Sequence, residues 1–227
     1  MRDAPGWATA VFGHEGPASI DVRGRADLLR DEAVTSKTRF RWFSVTKLVT
    51  AMATLRAVEQ GHLALDDDVR ARLDWFRPSA PVTVRHLLAH ASGLADPNAT
   101  GWVHPPGRAV RPPALLTRAT FARHARLRSP PGARARYTNL GYLVLGELLA
   151  QREGGYEAAA ADVLARAGAH GASFAIAGAA RGHEALASAR TLVMAALFGR
   201  RTPGLVAYVR DGWVGLTPFE LEGQAYG

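Results

Sequence analysis

The chain contains no cysteine, only two asparagines (Asn98 and Asn139), and only two lysines (Lys37 and Lys47) among its 28 basic residues. The first absence excludes disulfides, thiol chemistry and any metal site built on cysteine, while leaving the redox compartment open. Long apolar runs are missing too. The longest, Leu192–Phe198, falls far short of the roughly 18 residues a bilayer span requires. The opening residues, Met1 to Gly6, lack the apolar core of a secretion signal. As written, the chain is therefore expected to be cytoplasmic, with export possible if the true start lies upstream. The net charge of +8 comes from arginines spread along the whole length rather than gathered in blocks with aromatics between them. That pattern is a compositional bias, so neither a nucleic-acid nor a membrane partner is expected.

What is present is ordinary for a globular protein. With 227 residues, 48% hydrophobic and 21% charged, the chain can bury one sizeable core or two small lobes. Trp7–Phe12 and Ala18–Val22 read as two strands joined by a Gly/Pro turn, Gly13-His14-Glu15-Gly16-Pro17. From Val45 to Val58 the apolar residues fall at helical spacing, and the helix stops at Gly61. Asp66-Asp67-Asp68 precedes a short helix; without further carboxylates at calcium-loop spacing, the run reads as capping and solvated charge. Thr83 is a good N-cap for a helix over Val84–His90. Further helices are expected over Ala114–Arg126, Leu140–Gln151, Tyr156–Arg166 and Ala185–Phe198. Beyond Gly199 the chain reads as loop, with one strand at Leu205–Val209.

The chemistry points to Phe43-Ser44-Val45-Thr46-Lys47, where Ser44 and Lys47 lie three residues apart at the front of a helix and so share a face. A hydroxyl beside an amine, near the positive end of a helix, makes a workable nucleophile. The spacing alone is a weak signal, because a helix start followed by a solvated lysine looks the same. Composition strengthens it. Where 26 of the 28 basic residues are arginine, a surface cation would almost always be arginine, which cannot release its proton, whereas a desolvated lysine amine can. His86 and His90 stand at i and i+4, but the zinc-protease pattern needs Glu after the first histidine, and Leu87 is there. They read as hydrogen-bonded, partly buried histidines, and neither a metal nor a cofactor is expected.

Taken together, Phe40–Lys47, Gly61–Val69, Val82–Leu94 and Pro131–Gly146 resemble, in order and with plausible gaps, the serine β-lactamase and penicillin-binding-protein superfamily, most closely its class C β-lactamase-like hydrolases and esterases. The resemblance is good over about residues 8–156. It implies an α/β fold of the α+β type, with a largely helical lobe and an N-terminal β-hairpin in one domain over residues 1–227. Residues 1–40 would supply sheet strands, 41–200 the mainly helical lobe and 201–227 a loop-rich tail. It implies that Ser44 is acylated, that Lys47 is its proton partner, that Tyr137 belongs to a Tyr-x-Asn motif, and that Asn139 orients Lys47 and binds a substrate carbonyl. A phenol near cationic groups can shuttle a proton. The substrate would be a small ester, amide or β-lactam.

One family motif has no counterpart: a Lys or His, then Thr or Ser, then Gly, on a strand edging the site. No lysine follows Lys47. That strand carries an oxyanion-hole donor, and losing one such donor costs about 10²–10³ in rate. The hairpin would also lack its sheet partners. Either the chain is shortened at its C-terminus, which is the expectation here, or a partner chain supplies the sheet. The functional expectation is accordingly a serine hydrolase forming an acyl-enzyme at Ser44. The alternative is a catalytically impaired remnant that folds and binds a ligand or partner without turnover. Oligomeric state is left open.

Overall fold

The computed structural model describes residues 5–97, 102–104, 112–174, 180, 183–185, 206–210, 213–216 and 220–221. The chain divides into two compact units. One comprises Met1–Arg41, Val103–Arg108 and Ala175–Glu220; the other comprises Trp42–Trp102, Ala109–Phe174 and Leu221–Gly227.

The first unit is built on the expected hairpin. Strands β1 (Gly6–Gly13) and β2 (Gly16–Asp27) pair antiparallel, with Trp7 opposite Arg23, whose guanidinium stands 5.4 Å from the indole. The register slips between Val11 and Phe12, which face Ser19 and Pro17, so Ala18 is the extra residue on β2 and Pro17 stands beside this bulge, where a residue without an N–H is tolerated. The hairpin does not stand alone: β3 (Glu32–Ala33) adds to β2 and makes a three-stranded sheet. After the two-residue strand β4 (Val103–His104) come β5 (His183–Ala185), β6 (Val206–Arg210) and β7 (Trp213–Leu216), which form a second antiparallel sheet in the order β5-β7-β6. A two-residue strand, β8 (Glu220–Leu221), follows.

The tail is thus richer in strand than its sequence suggests. Strand β6 coincides with the expected one, but β7 falls where loop is expected. Trp213-Val214 is a β-favouring pair just past Asp211-Gly212, a dipeptide that signals a turn. Ala185 ends a strand instead of opening a helix, because pairing with Trp213 on β7 overrides local propensity. The remainder of the helix expected over Ala185–Phe198 lies outside the described residues.

The second unit is helical. A single 3₁₀ turn (Phe43–Val45) leads into α1 (Thr46–Glu59), followed by α2 (Val69–Arg72), α3 (Val84–Leu88), α4 (Pro113–His124), α5 (Asn139–Ala150) and α6 (Gly155–Arg166). Helix α5 organises it. From Leu140 to Leu149 every residue is buried, as befits a helix that is apolar on all sides. One side joins Phe76, Leu87, Leu94 and Phe121 in a core through Leu140, Tyr142, Leu145 and Leu148. The other side joins Val49, Ala53, Leu116, Tyr156 and Val163 through Leu143 and Leu149.

Helix α1 buries a face other than its apolar stripe. Val49, Thr50, Ala53, Thr54 and Ala57 are buried, whereas Val45, Leu48, Met52 and Leu55 are exposed. Small residues on the buried side allow close approach to α5 and α6. The two threonines are satisfied there: the Thr54 hydroxyl donates to the Thr50 carbonyl, and Thr50 Oγ1 lies 2.9 Å from the Tyr156 hydroxyl.

The aspartate run has a structural role. Asp68 caps α2 by accepting the Arg70 N–H at 3.0 Å, and the Arg70 guanidinium returns to the same carboxylate at 2.6 Å. Arg85 makes two bonds to Asp66, at 2.9 and 3.0 Å. These arginine contacts hold the Asp66 and Asp68 carboxyls below the usual carboxylate range. Among the described residues no group of three His, Asp or Glu side chains is placed to hold a metal, and no described helix is long and apolar enough to cross a membrane.

Candidate active site

The candidate site lies within the helical unit. Ser44 sits in the 3₁₀ turn, two residues ahead of the first residue of α1 rather than inside the helix. Phe43, just before it, has φ +45°, a left-handed conformation costly for a side chain with a Cβ. The turn exposes Ser44, while Lys47, in the first turn of α1, is 6% exposed. Lys47 Nζ donates to Ser44 Oγ at 3.4 Å, the i,i+3 contact that the spacing predicts.

Tyr137 and Asn139 reach the same place along a templated path. The segment 90–96 accepts the backbone N–H groups of the residues that lead to them: Arg128 N–H donates to Gly93 O (2.7 Å), Gly132 N–H to Ala91 O (2.8 Å) and Arg136 N–H to His90 O (2.8 Å). Thr138, the N-cap residue of α5, is 1% exposed; its hydroxyl donates to Ala95 O at 3.0 Å and its N–H to His90 Nδ1 at 3.3 Å. Two glycines make the approach possible. Gly93 has φ +76° and its missing Cβ would overlap the Ser129 carbonyl; Gly132 has φ +82° and faces His86 Nε2.

The result is a chain of contacts with a direction. Ser44 Oγ lies 2.7 Å from the Tyr137 hydroxyl. That hydroxyl donates to Asn139 Oδ1 at 3.2 Å, so Ser44 is the donor in the bond between them. Asn139 Nδ2 in turn donates to Asp96 Oδ1 at 3.2 Å, and the Asn139 backbone N–H reaches the same oxygen at 2.8 Å. Lys47 Nζ stands 5.4 Å from the Tyr137 ring and 5.7 Å from that of Tyr142.

His90 packs between the two tyrosines, its ring 4.8 Å from Tyr137 and 4.9 Å from Tyr142. It has φ +54°, the second strained backbone position bordering the site. Because Nδ1 accepts the Thr138 N–H, the ring is neutral with its proton on Nε2. Burial, and then the neighbouring Lys47, push its pKa below 6.5, with Asp96 acting weakly the other way. Burial likewise raises the Tyr142 phenol, whose hydroxyl donates to Leu88 O. His86 serves the fold instead, since its Nδ1 accepts the Thr83 N–H in the capping box of α3.

The four side chains singled out in the sequence, Ser44, Lys47, Tyr137 and Asn139, therefore lie together. Two neighbours, His90 and Asp96, are not among the residues the sequence marks as functional. His90 is visible there only as a helix-spaced histidine. Asp96 lies 43 residues from Asn139, and no local pattern links the two.

A β-lactamase family model matches residues 1–211, and the chain belongs to that family. It is 46% identical over 79 residues to esterase EstB of Burkholderia gladioli, a match covering 32% of this chain and 20% of that protein. It is 29% identical over 117 residues to the D-alanyl-D-alanine-carboxypeptidase/endopeptidase AmpH of Escherichia coli, covering 49% and 30%. Among solved structures, the octameric penicillin-binding protein homologue from Pyrococcus abyssi superposes with a TM-score of 0.66 at 27% identity, over 79% of this chain and 44% of that one. The D-amino acid amidase of Ochrobactrum anthropi SV3 gives 0.71 at 23% identity, over 96% and 59%, and this likeness bears on the fold alone. The fold is of the β-lactamase/DD-peptidase type, and the chain spans less than a third of the length of these two curated relatives.

Proposed function

We propose that this protein is a serine hydrolase that forms an acyl-enzyme at Ser44 on an ester, amide or β-lactam. The observation that carries the reading is the placement of Ser44 Oγ 2.7 Å from the Tyr137 hydroxyl and 3.4 Å from Lys47 Nζ, on an exposed turn. A serine hydroxyl in contact with two groups able to exchange protons is the requirement for covalent catalysis.

In the first half-reaction Ser44 Oγ attacks the acyl carbon and the bond to the leaving group breaks. The Lys47–Tyr137 pair acts in the form that is one proton short, as neutral amine with phenol or as ammonium with phenolate; it takes the Ser44 proton and hands it to the leaving oxygen or nitrogen. In the second half-reaction a water molecule takes the place of the leaving group, loses its proton to the same pair and releases the acid, and Ser44 recovers its hydrogen. Asn139, at the edge of the pair, offers a carboxamide to orient the substrate carbonyl. The hydrolase names of EstB and AmpH support the reaction class, and the substrate is proposed only at that level.

The test is covalent capture. A fluorophosphonate or a β-lactam added to folded protein adds its mass to the peptide carrying Ser44, and the adduct disappears in Ser44→Ala. A folded wild-type sample that stays unmodified by both reagents overturns the proposal.

A further inference from the structure

We propose that Asp96 is a positioning residue, one that fixes the Asn139 carboxamide so that its carbonyl oxygen, and not its amino group, meets the Tyr137 hydroxyl. This rests on the function proposed above.

The two ends of a carboxamide have nearly the same shape, so its orientation follows from its partners. Tyr137 imposes none, since a hydroxyl can donate to Oδ1 or accept from Nδ2 equally well. Asp96 does impose one, because a carboxylate only accepts. The Asn139 atom 3.2 Å from Asp96 Oδ1 is therefore Nδ2, and Oδ1 is left facing Tyr137. That orientation draws the single phenolic hydrogen toward Asn139 and turns the Tyr137 lone pair toward Ser44, 2.7 Å away. The Ser44 hydrogen then points along the Oγ–Tyr137 axis, which leaves an Oγ lone pair for an N–H of Lys47 Nζ. One acidic side chain thus sets the direction of a four-residue chain at whose far end the reaction takes place. Asp96 also accepts the Asn139 backbone N–H at the start of α5, a second bond that locks carboxylate and carboxamide in register.

This second bond provides a competing, purely structural role, capping of α5, and the variants must separate the two. An Asn side-chain oxygen still accepts a hydrogen bond, so Asp96→Asn keeps an acceptor for the Asn139 backbone N–H and a melting temperature close to wild type. It can also offer its own NH₂ to Asn139 Oδ1, which lets the Asn139 amide turn over. Turnover of a p-nitrophenyl ester by Asp96→Asn is expected to fall about 10–100-fold in kcat, the scale of a mispositioned group. Adding Asp96→Ala to Asn139→Ala is expected to cost less than about twofold further, since a residue acting only through Asn139 has nothing left to position. A cap alone predicts the reverse: unchanged kcat in Asp96→Asn, and independent losses that multiply in the double variant. Either of those results overturns the proposal.

A readout independent of turnover keeps this inference separate from the hydrolase reading. In ¹⁵N–¹H spectra of Ser44→Ala protein, the Asn139 NH₂ pair should shift on Asp96→Asn while the backbone resonances of α6 stay in place. An unmoved NH₂ pair overturns the positioning role even if Ser44 is acylated. A shifted pair in a protein that no acylating reagent labels upholds the role and rejects the hydrolase.

Discussion

The N–H of Thr138 donates to His90 Nδ1 at 3.3 Å, so a neutral imidazole holds the peptide between the two Tyr-x-Asn side chains. The same imidazole packs against the Tyr137 ring. One ring thus fixes both the backbone and the aromatic face of the turn opposite Ser44, and the first prediction concerns its protonation.

The groups facing His90 are Lys47 from α1, Asp96 from the loop that follows His90, and Tyr137 and Tyr142. Its folded-state pKa is pushed below the ordinary 6.5, chiefly by burial. The unfolded chain therefore takes up a proton there before the folded one does, and below about pH 6.5 protons favour unfolding. The stability this group contributes is complete above pH 6.5 and is lost as pH falls through the folded pKa. His90→Gln keeps an acceptor for Thr138 but does not titrate. Between about pH 7.5 and pH 5.0, either side of the ordinary histidine value, the urea midpoint should fall further in wild type than in His90→Gln. Equal falls would remove His90 as the cause.

Ser44→Ala should abolish covalent labelling and lower ester turnover by about 10⁴-fold or more. Because Ser44 is exposed, unfolding free energy should change by no more than about 0.5 kcal/mol. Intact-mass spectra and urea titrations on the same samples check both halves.

Lys47→Arg should behave as a loss rather than a conservative change. The slot is 6% exposed, and a guanidinium is wider than an amine and, unlike it, does not exchange its proton. A fall in kcat of about 10²–10⁴ is expected, comparable to Lys47→Met. Activity in Lys47→Arg near wild type would show that the amine takes no proton.

Gly93→Ala should cost at least about 2 kcal/mol. It adds the strain of a left-handed residue to a collision with the Ser129 carbonyl. Gly61→Ala is the control, since it shares a positive φ of 74° but meets nothing within 4 Å. The difference in urea midpoint between the two variants isolates the collision.

Leu145→Ala, at a wholly buried position on α5, should lose about 2–5 kcal/mol, whereas Leu48→Ala on α1, 64% exposed, should lose about 0.5 or less. Similar losses would mean that the apolar stripe of α1 is covered.

That stripe also shows where the sequence is legible and where it is not. The spacing of Val45, Leu48, Met52 and Leu55 correctly signals a helix, yet the buried face is the one carrying Lys47, Thr50 and Ala53. Periodicity reports regularity; which side faces inward depends on what α5 and α6 bring to it. Local rules hold where the partners are local: Asp68 and Thr83 cap the helices that follow them, and Gly61 ends α1. The meeting of Ser44 with Tyr137 is reachable only through family resemblance, since nothing within either segment refers to the other. Asp96 escapes even that, because its role emerges only when the Asn139 amide has a direction. Strand β7 has only the brief local signal of Trp213-Val214, and its pairing with β5 and β6 is what the sequence does not display.

Ser44 and Tyr137 are 93 residues apart in sequence, and bringing such distant points together costs about 4 kcal/mol of chain entropy. Neither half of the helical unit can hold the nucleophile and its phenol in contact by itself. Acylation of Ser44, sampled at intervals during refolding, would therefore act as a clock for long-range closure, silent until α5 has docked.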